Sequence, residues 1–294
     1  MKLYRPQYCE DFKCIADKCR HSCCIGWEIS VDNATFNKYN SLGREDILCH
    51  IHEGQITLCD GGRCPFLRAD GLCSIISELG ESYTSLICRE HPRFYHRVGD
   101  RVEGGIGLSC EEAARLILSS DAYSSFTTCE HTPEIAEETD FDSIPHRDFI
   151  YSLLSDRGVS YDKTIDAIEE KYSLKTPIHS ACEWNEILAE LEYLDESHRE
   201  ILVFREGRGE HYDIYRRFLA YLVFRHVSVA EGYENLRARL GLCLLLTEIF
   251  EGLTEREDMG FEEICDLARI ISEEIEYSED NTAELIFEFE ANIL

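Results

Sequence analysis

Twelve of the fifteen cysteines fall before residue 130: Cys9, Cys14, Cys19, Cys23, Cys24, Cys49, Cys59, Cys64, Cys73, Cys88, Cys110 and Cys129. Only Cys182, Cys243 and Cys265 lie beyond. Cysteine used as a small buried hydrophobe would be scattered through both halves of the chain. A crowd this uneven uses sulfur as a ligand or as a redox group, so the first part of the chain folds around its thiols.

Compartment separates those two uses. The opening MKLYRPQYCEDFKC has no apolar h-region and no small-residue cleavage site, so no secretory signal is read there. The longest apolar stretch, LGLCLLLTEIF at 240–250, is too short to span a membrane and carries Glu248. These features predict a soluble, cytoplasmic chain. Thiols stay reduced in that compartment, and fifteen is an odd count, so metal or iron–sulfur ligation is preferred over a disulfide framework.

Charge divides the 294 residues. Residues 1–130 carry 14 basic against 19 acidic side chains, a balance of −5, whereas 131–294 carry 15 against 39, a balance of −24. Nucleic acid is excluded as a partner, because a phosphate backbone calls for a basic footprint. An anionic membrane surface is excluded on the same ground. A lysine-rich protein would be attracted, although acidic helices also serve solubility alone.

The expected fold is mainly α: a metal-ligated, cysteine-rich N-terminal lobe with small β-hairpins over 1–126, then an acidic all-α lobe over 127–294. In the first lobe, GWEISVD (26–32) reads as a short strand, and Asp32 or Asn33 caps a brief helix through ATFNKYNSL. Gly61-Gly62, Asp70-Gly71 and Gly99-Asp100 mark tight turns or hairpins. Helical spacing of apolar residues appears over 111–120, 146–158, 160–172, 183–204, 211–227, 233–252 and 260–276. The acidic stretch 127–145 reads as the linker. There is no internal repeat.

The densest group is Cys14-x4-Cys19-x3-Cys23-Cys24, followed by Cys64, Cys73, Cys88 and Cys110. Iron–sulfur clusters take four cysteines, and structural zinc takes four Cys or His. Donor softness favours either over a hard cation, and spacing alone does not choose between them. His21, His91 and His96 neighbour these cysteines as ligands, proton carriers or ordinary hydrogen-bonding groups. Arg89, Arg93 and Arg97 bind an anionic cofactor group or balance the thiolates. Tyr4, Tyr8, Tyr83 and Tyr95 orient an amine or fill the core. Cys49 and Cys59 with His50 and His52 are an accessory metal site or incidental. Val102–Gly107 contains three glycines, but reads as a turn rather than a nucleotide-binding loop.

CIADKCRHSCCIGWEISVD, CPFLRADGLCSIISELGESYTSLICREHPR and GLSCEEAARL resemble the flagellin lysine-N-methylase family, from about Tyr4 to Ile117. Cys14, Cys19, Cys23 and Cys24 match its first cluster and Gly26-Trp27 the GW after it. Cys64-Pro65-Phe66-Leu67 match its CPFL element and Cys73 the next cysteine. Cys88, His91, Pro92 and Arg93 match its Pro-Arg stretch. Cys110, Ala113, Ala114 and Arg115 match its helix start, with Glu111 standing where proline is expected. The resemblance implies methyl transfer from S-adenosylmethionine to lysines of flagellin, with a [4Fe–4S] cluster on the cysteines. The x3, x2 cysteine spacing of radical S-adenosylmethionine enzymes is not matched, and the cofactor site stays unassigned. For such a reaction the lysine must lose a proton, which makes His91 and Tyr95, just after Cys88, the candidate catalytic residues. The alternative is a non-catalytic zinc or iron–sulfur scaffold that binds a basic protein.

Overall fold

A computed structural model describes residues 2–129, 138–256 and 258–292. Two units emerge, Lys13–Arg93 and Met1–Phe12 joined to Phe94–Leu294. After strand β1 (Leu3–Pro6), which belongs to the larger unit, the chain builds the smaller one from short pieces. Helix α1 (Asn33–Leu42) begins where the Asp32 carboxylate accepts the Thr35 N–H at 2.9 Å. It ends at Gly43, whose φ of 63° is left-handed. Helix α2 (Glu45–Leu48) follows, then the two-residue strands β2 (Ile51–His52) and β3 (Gln55–Ile56), then helices α3 (Ser74–Leu79) and α4 (Leu86–Glu90). Ile29, Val31, Tyr39, Ile47, Phe66 and Ile75 form its small apolar core.

The predicted turns form. Cys59 bridges Arg63 around Gly61-Gly62, and Leu67 bridges Cys73 around Asp70-Gly71, where Gly71 has a φ of 80°. The predicted strand over 26–32 does not. Ile25 and Ser30 make only isolated bridges, to Arg63 and Gln55. These pairings with two different partners replace a regular ladder.

The larger unit is helical but not all-α, because it carries a five-stranded sheet in the order β6-β1-β5-β4-β7. Strands β4 (Arg93–Val98) and β5 (Arg101–Ile106) flank the Gly99-Asp100 turn. Helix α5 (Glu111–Ser119) leads to β6 (Phe126–Cys129), and β7 (Glu138–Thr139) closes the sheet. β1 pairs in parallel with β5 (Leu3 opposite Val102) and antiparallel with β6 (Leu3 opposite Cys129). The acidic stretch expected as a linker thus supplies two strands, and residues 130–137 within it lie outside the described residues. Val102–Gly107 is mostly strand, not a turn. Its glycines make room for rings: a Cβ on Gly104 would lie 2.7 Å from Tyr95 Cδ1, and one on Gly105 would overlap Phe94. Residues 94–126, expected in the cysteine lobe, pack with the helices, through Ile106, Leu108, Ile117 and Tyr123.

The helices are α6 (Ile144–Ser155), α7 (Tyr161–Tyr172), α8 (Ala181–Glu190), α9 (Tyr212–His226), α10 (Tyr233–Leu253), α11 (Phe261–Ile271) and α12 (Glu279–Asn292). Pro145 lies in the first turn of α6, and Ser180 with Glu183 forms a capping box on α8. The segment 183–204 is not one helix. Arg199 donates to the carbonyls of Ala189 and Leu191, folding the chain back, and Leu194 is exposed instead of lining a helix face. α11 ends in a single π turn over 272–276. The apolar run of α10 is buried between α9 and α12. Among the described residues no helix is long and apolar enough to cross a membrane.

Candidate functional site: a four-thiol group and a charged cleft

Four cysteines from three segments of the unit Lys13–Arg93 lie near enough to feel one another's charge. The Cys64 N–H donates to the Cys24 carbonyl at 2.8 Å, which ties the CPFL turn to the adjacent-cysteine turn. The Leu67–Cys73 bridge returns Cys73 toward that turn. Cys88 on α4 accepts the Ser85 hydroxyl at 3.1 Å. Charge on any of these sulfurs is felt by others. Burial pushes the Cys64 thiol up to about 12, and Cys24, Cys73 and Cys88 add to the shift. Burial also raises Cys73 and Cys88; Cys88 is exposed as a residue, yet packing around its sulfur penalises the thiolate. Cys24 moves the other way, to about 6, because the Cys23 side chain hydrogen-bonds it, with Ser22 and Arg63 also favouring the thiolate.

This donor set fits a soft cation. Four sulfurs, three of them held protonated by burial and mutual repulsion, would give up their protons to a metal that replaces repulsion with coordination. Among the described residues, the ligand atoms already within 4.8 Å of one another belong to His198, Glu273 and Glu274, not to cysteines. That His–Glu–Glu trio has a structural role. Glu274 accepts the Leu194 and Asp195 N–H groups at 2.6 and 3.2 Å and meets His198 Nδ1 at 2.6 Å, while Glu273 pairs with Arg269.

The other sequence-predicted ligands are placed differently. Cys14 and Cys23 are exposed, and the Cys19 thiol donates to the His21 carbonyl at 3.2 Å. Cys110 stands at the N-cap position of α5, in the larger unit, without a side-chain capping hydrogen bond. Cys49 and Cys59 are exposed, with the Cys49 thiol on the Asp46 carbonyl at 3.5 Å and His50 edge-on to Phe66. Tyr8 is core, and Tyr4 lies under the Arg101 guanidinium at 4.9 Å.

His91 follows α4, and its ring lies tilted 6.0 Å from Trp27. Burial drops its pKa to about 4, so it is neutral at physiological pH and a weak proton acceptor. Tyr95 belongs to β4 in the larger unit and lines an open cleft of ≈ 770 Å³.

Sequence reasoning missed this cleft, which is floored by buried charge. Glu276, with its side chain 1% exposed, meets His226 Nε2 at 2.8 Å and Arg225 Nε at 3.4 Å, and accepts the Tyr221 hydroxyl at 3.1 Å. Desolvation opposes its charge, but Arg225 and His226 overcome it and keep the carboxyl below its ordinary range. Arg225 lies between the rings of Phe94 (4.8 Å) and Tyr277 (4.5 Å). Behind the cleft residue His96, Glu103 joins His96 (3.2 Å), Arg147 (2.6 Å) and Arg101. Desolvation is outweighed there too, and Glu103 stays well below the carboxylate range. In the sequence Glu276 hides in the acidic run SEEIEY, which looks like a solvated helix face; the flanking Ile275 and Tyr277 are the only hint of burial.

No family model and no solved structure matches the chain. Curated relatives do. The lysine-N-methylases of Salmonella choleraesuis (strain SC-B67) and Salmonella typhimurium (strain LT2) are each 31% identical over 127 residues, covering 39% of this chain and 32% of theirs. The chain thus spans about a third of the length of those enzymes. The flagellar biosynthetic protein FliU of Salmonella muenchen is 30% identical over 127 residues, again 39% of this chain but 75% of FliU. With three quarters of FliU covered at that identity, the chain belongs to the family that contains FliU and the lysine-N-methylases.

Proposed function

We propose that this chain is a cytoplasmic protein-lysine N-methyltransferase that uses S-adenosylmethionine and acts on flagellin. The observation that carries the reading is the 31% identity to two lysine-N-methylases. In the reaction a neutral lysine nitrogen attacks the methyl carbon of the sulfonium. The N–C bond forms, the S–C bond breaks, and S-adenosylhomocysteine leaves. The ammonium must first lose a proton, because its ordinary pKa is about 10.4.

Cys24, Cys64, Cys73 and Cys88 are the residues assigned to hold a [4Fe–4S] cluster, with zinc as the alternative occupant and Cys14, Cys19 and Cys23 as further donors. A bound group of this kind would supply stability that the small apolar core of this unit lacks. Tyr95 is given the role of holding the amine, and His91, neutral and half-buried, that of a hydrogen-bond acceptor rather than a strong base. The acidic helical region favours a lysine-bearing partner through long-range attraction.

The test is the visible spectrum of anaerobically purified protein together with transfer of labelled methyl groups to flagellin. Broad sulfur-to-iron absorption with transfer supports the reading. A colourless zinc protein that binds flagellin and transfers nothing supports the scaffold instead.

A further inference from the structure

The cleft in the larger unit has a composition that selects a ligand. β4 supplies Tyr95 and Arg97, α10 supplies Arg239, and Glu231 and Glu279 stand exposed at its edge. Its interior charges, Arg225, His226 and Glu276, are engaged with one another, while Arg239 Nε donates to Asn235 Oδ1 at 2.8 Å and Arg97 Nε to the Gly99 carbonyl at 3.1 Å. Its volume of ≈ 770 Å³ lies in the range of small-molecule sites. A lysine-rich peptide laid across it would meet Arg97 and Arg239 as well as Glu231 and Glu279, so charge gives it no net attraction. A nucleic acid phosphate would meet the two carboxylates. A ligand that carries an ammonium and a carboxylate on one carbon uses both signs at once, and an aromatic side chain such as Tyr95 adds a surface for a flat ring.

We propose that this cleft binds the amino-acid end of S-adenosylmethionine, with Arg239 on its carboxylate and Glu231 and Glu279 facing its ammonium. The proposal rests on the methyl-transfer reading and adds to it the location of the cofactor. It also places Tyr95 beside the cofactor.

The test is equilibrium binding to the full-length chain, with S-adenosylmethionine and its decarboxylated analogue as probes. Methyl transfer to flagellin is measured on the same preparations. Arg239→Gln weakens S-adenosylmethionine about tenfold or more, the scale of one charge-assisted hydrogen bond, and leaves the decarboxylated analogue within about twofold. The double variant Glu231→Gln/Glu279→Gln weakens both probes, because both carry the amine. Its positions are exposed, so it keeps the test alive if Arg239→Gln fails to fold. Wild type that binds S-adenosylmethionine and transfers methyl groups, with every variant binding as tightly, overturns the cleft assignment and leaves the enzyme reading standing. Wild type that neither binds S-adenosylmethionine nor transfers methyl groups overturns both.

Discussion

The Cys64 amide donates to the Cys24 carbonyl at 2.8 Å, so two cysteines forty residues apart in sequence are locked backbone to backbone. That bond joins the Cys24 turn to the CPFL turn, from which the chain returns through Gly71 to Cys73. The unit around it has a core of only nine buried apolar residues. A core that small contributes little stability without an added staple.

Replacing Cys64 by alanine therefore removes metal and unfolds the Lys13–Arg93 unit first. Apparent zinc binding energies of about 10–16 kcal/mol in small metal-stabilised folds set the scale of what is at stake. Metal analysis and thermal melting of Cys64→Ala against Cys182→Ala check this, since Cys182 is exposed and on α8. Equal metal content and equal melting in the two variants would contradict the assignment.

Glu103 makes a different prediction. Its folded-state pKa is depressed, so its contribution to stability is present above the unfolded value of about 4.3 and is lost as pH falls below it. Glu103→Gln removes one partner of the buried Arg147 pair and costs about 3–5 kcal/mol at neutral pH. Denaturant titrations at pH 7 and near pH 3 check both points. The gap between wild type and variant narrows in acid.

Glu248 titrates in the opposite sense. Burial raises its carboxyl to about 7, and its Oε2 has no hydrogen-bond partner. The folded state then holds a proton that the unfolded state releases above about pH 4.3, so this group's contribution falls as pH rises from there to about 7. Glu248→Gln is accordingly more stable than wild type at pH 8, by about 3–4 kcal/mol, and near equal at pH 4. Stability curves for the two proteins across that range decide it.

The contrast between these acids shows what the sequence can and cannot carry. The cap at Asp32, the turns at Gly61-Gly62 and Asp70-Gly71, and most helices were legible because local chemistry decides them. β1 was not, since Leu3–Pro6 is a strand only by virtue of partners about a hundred residues away. α12 was missed because its acidic sequence masks the buried Leu285, Ile286 and Phe289. For the site, the density of cysteine points to sulfur ligation in the sequence, and the fold adds that Cys24, Cys64, Cys73 and Cys88 influence one another's charge. The cleft was invisible because β4, α10 and α12 contribute to it from distant stretches of chain.

Tyr95 and His91 separate on mutation if their roles are as proposed. Tyr95→Phe slows methyl transfer by roughly tenfold or more without loss of iron, as expected for a group that handles the amine. His91→Gln has a smaller effect, because an imidazole with a pKa of about 4 is a weak base at neutral pH. Rates and iron content measured on the same samples check this, and a larger effect at His91 would reverse the assignment.

The decisive experiment incubates cluster-loaded protein with flagellin from the same organism and S-adenosylmethionine labelled in its methyl group. Label is expected on flagellin lysines, located by mass spectrometry, and none when Cys64→Ala protein is used. Unlabelled flagellin from protein whose iron content and spectrum are intact would contradict the methyl-transfer reading.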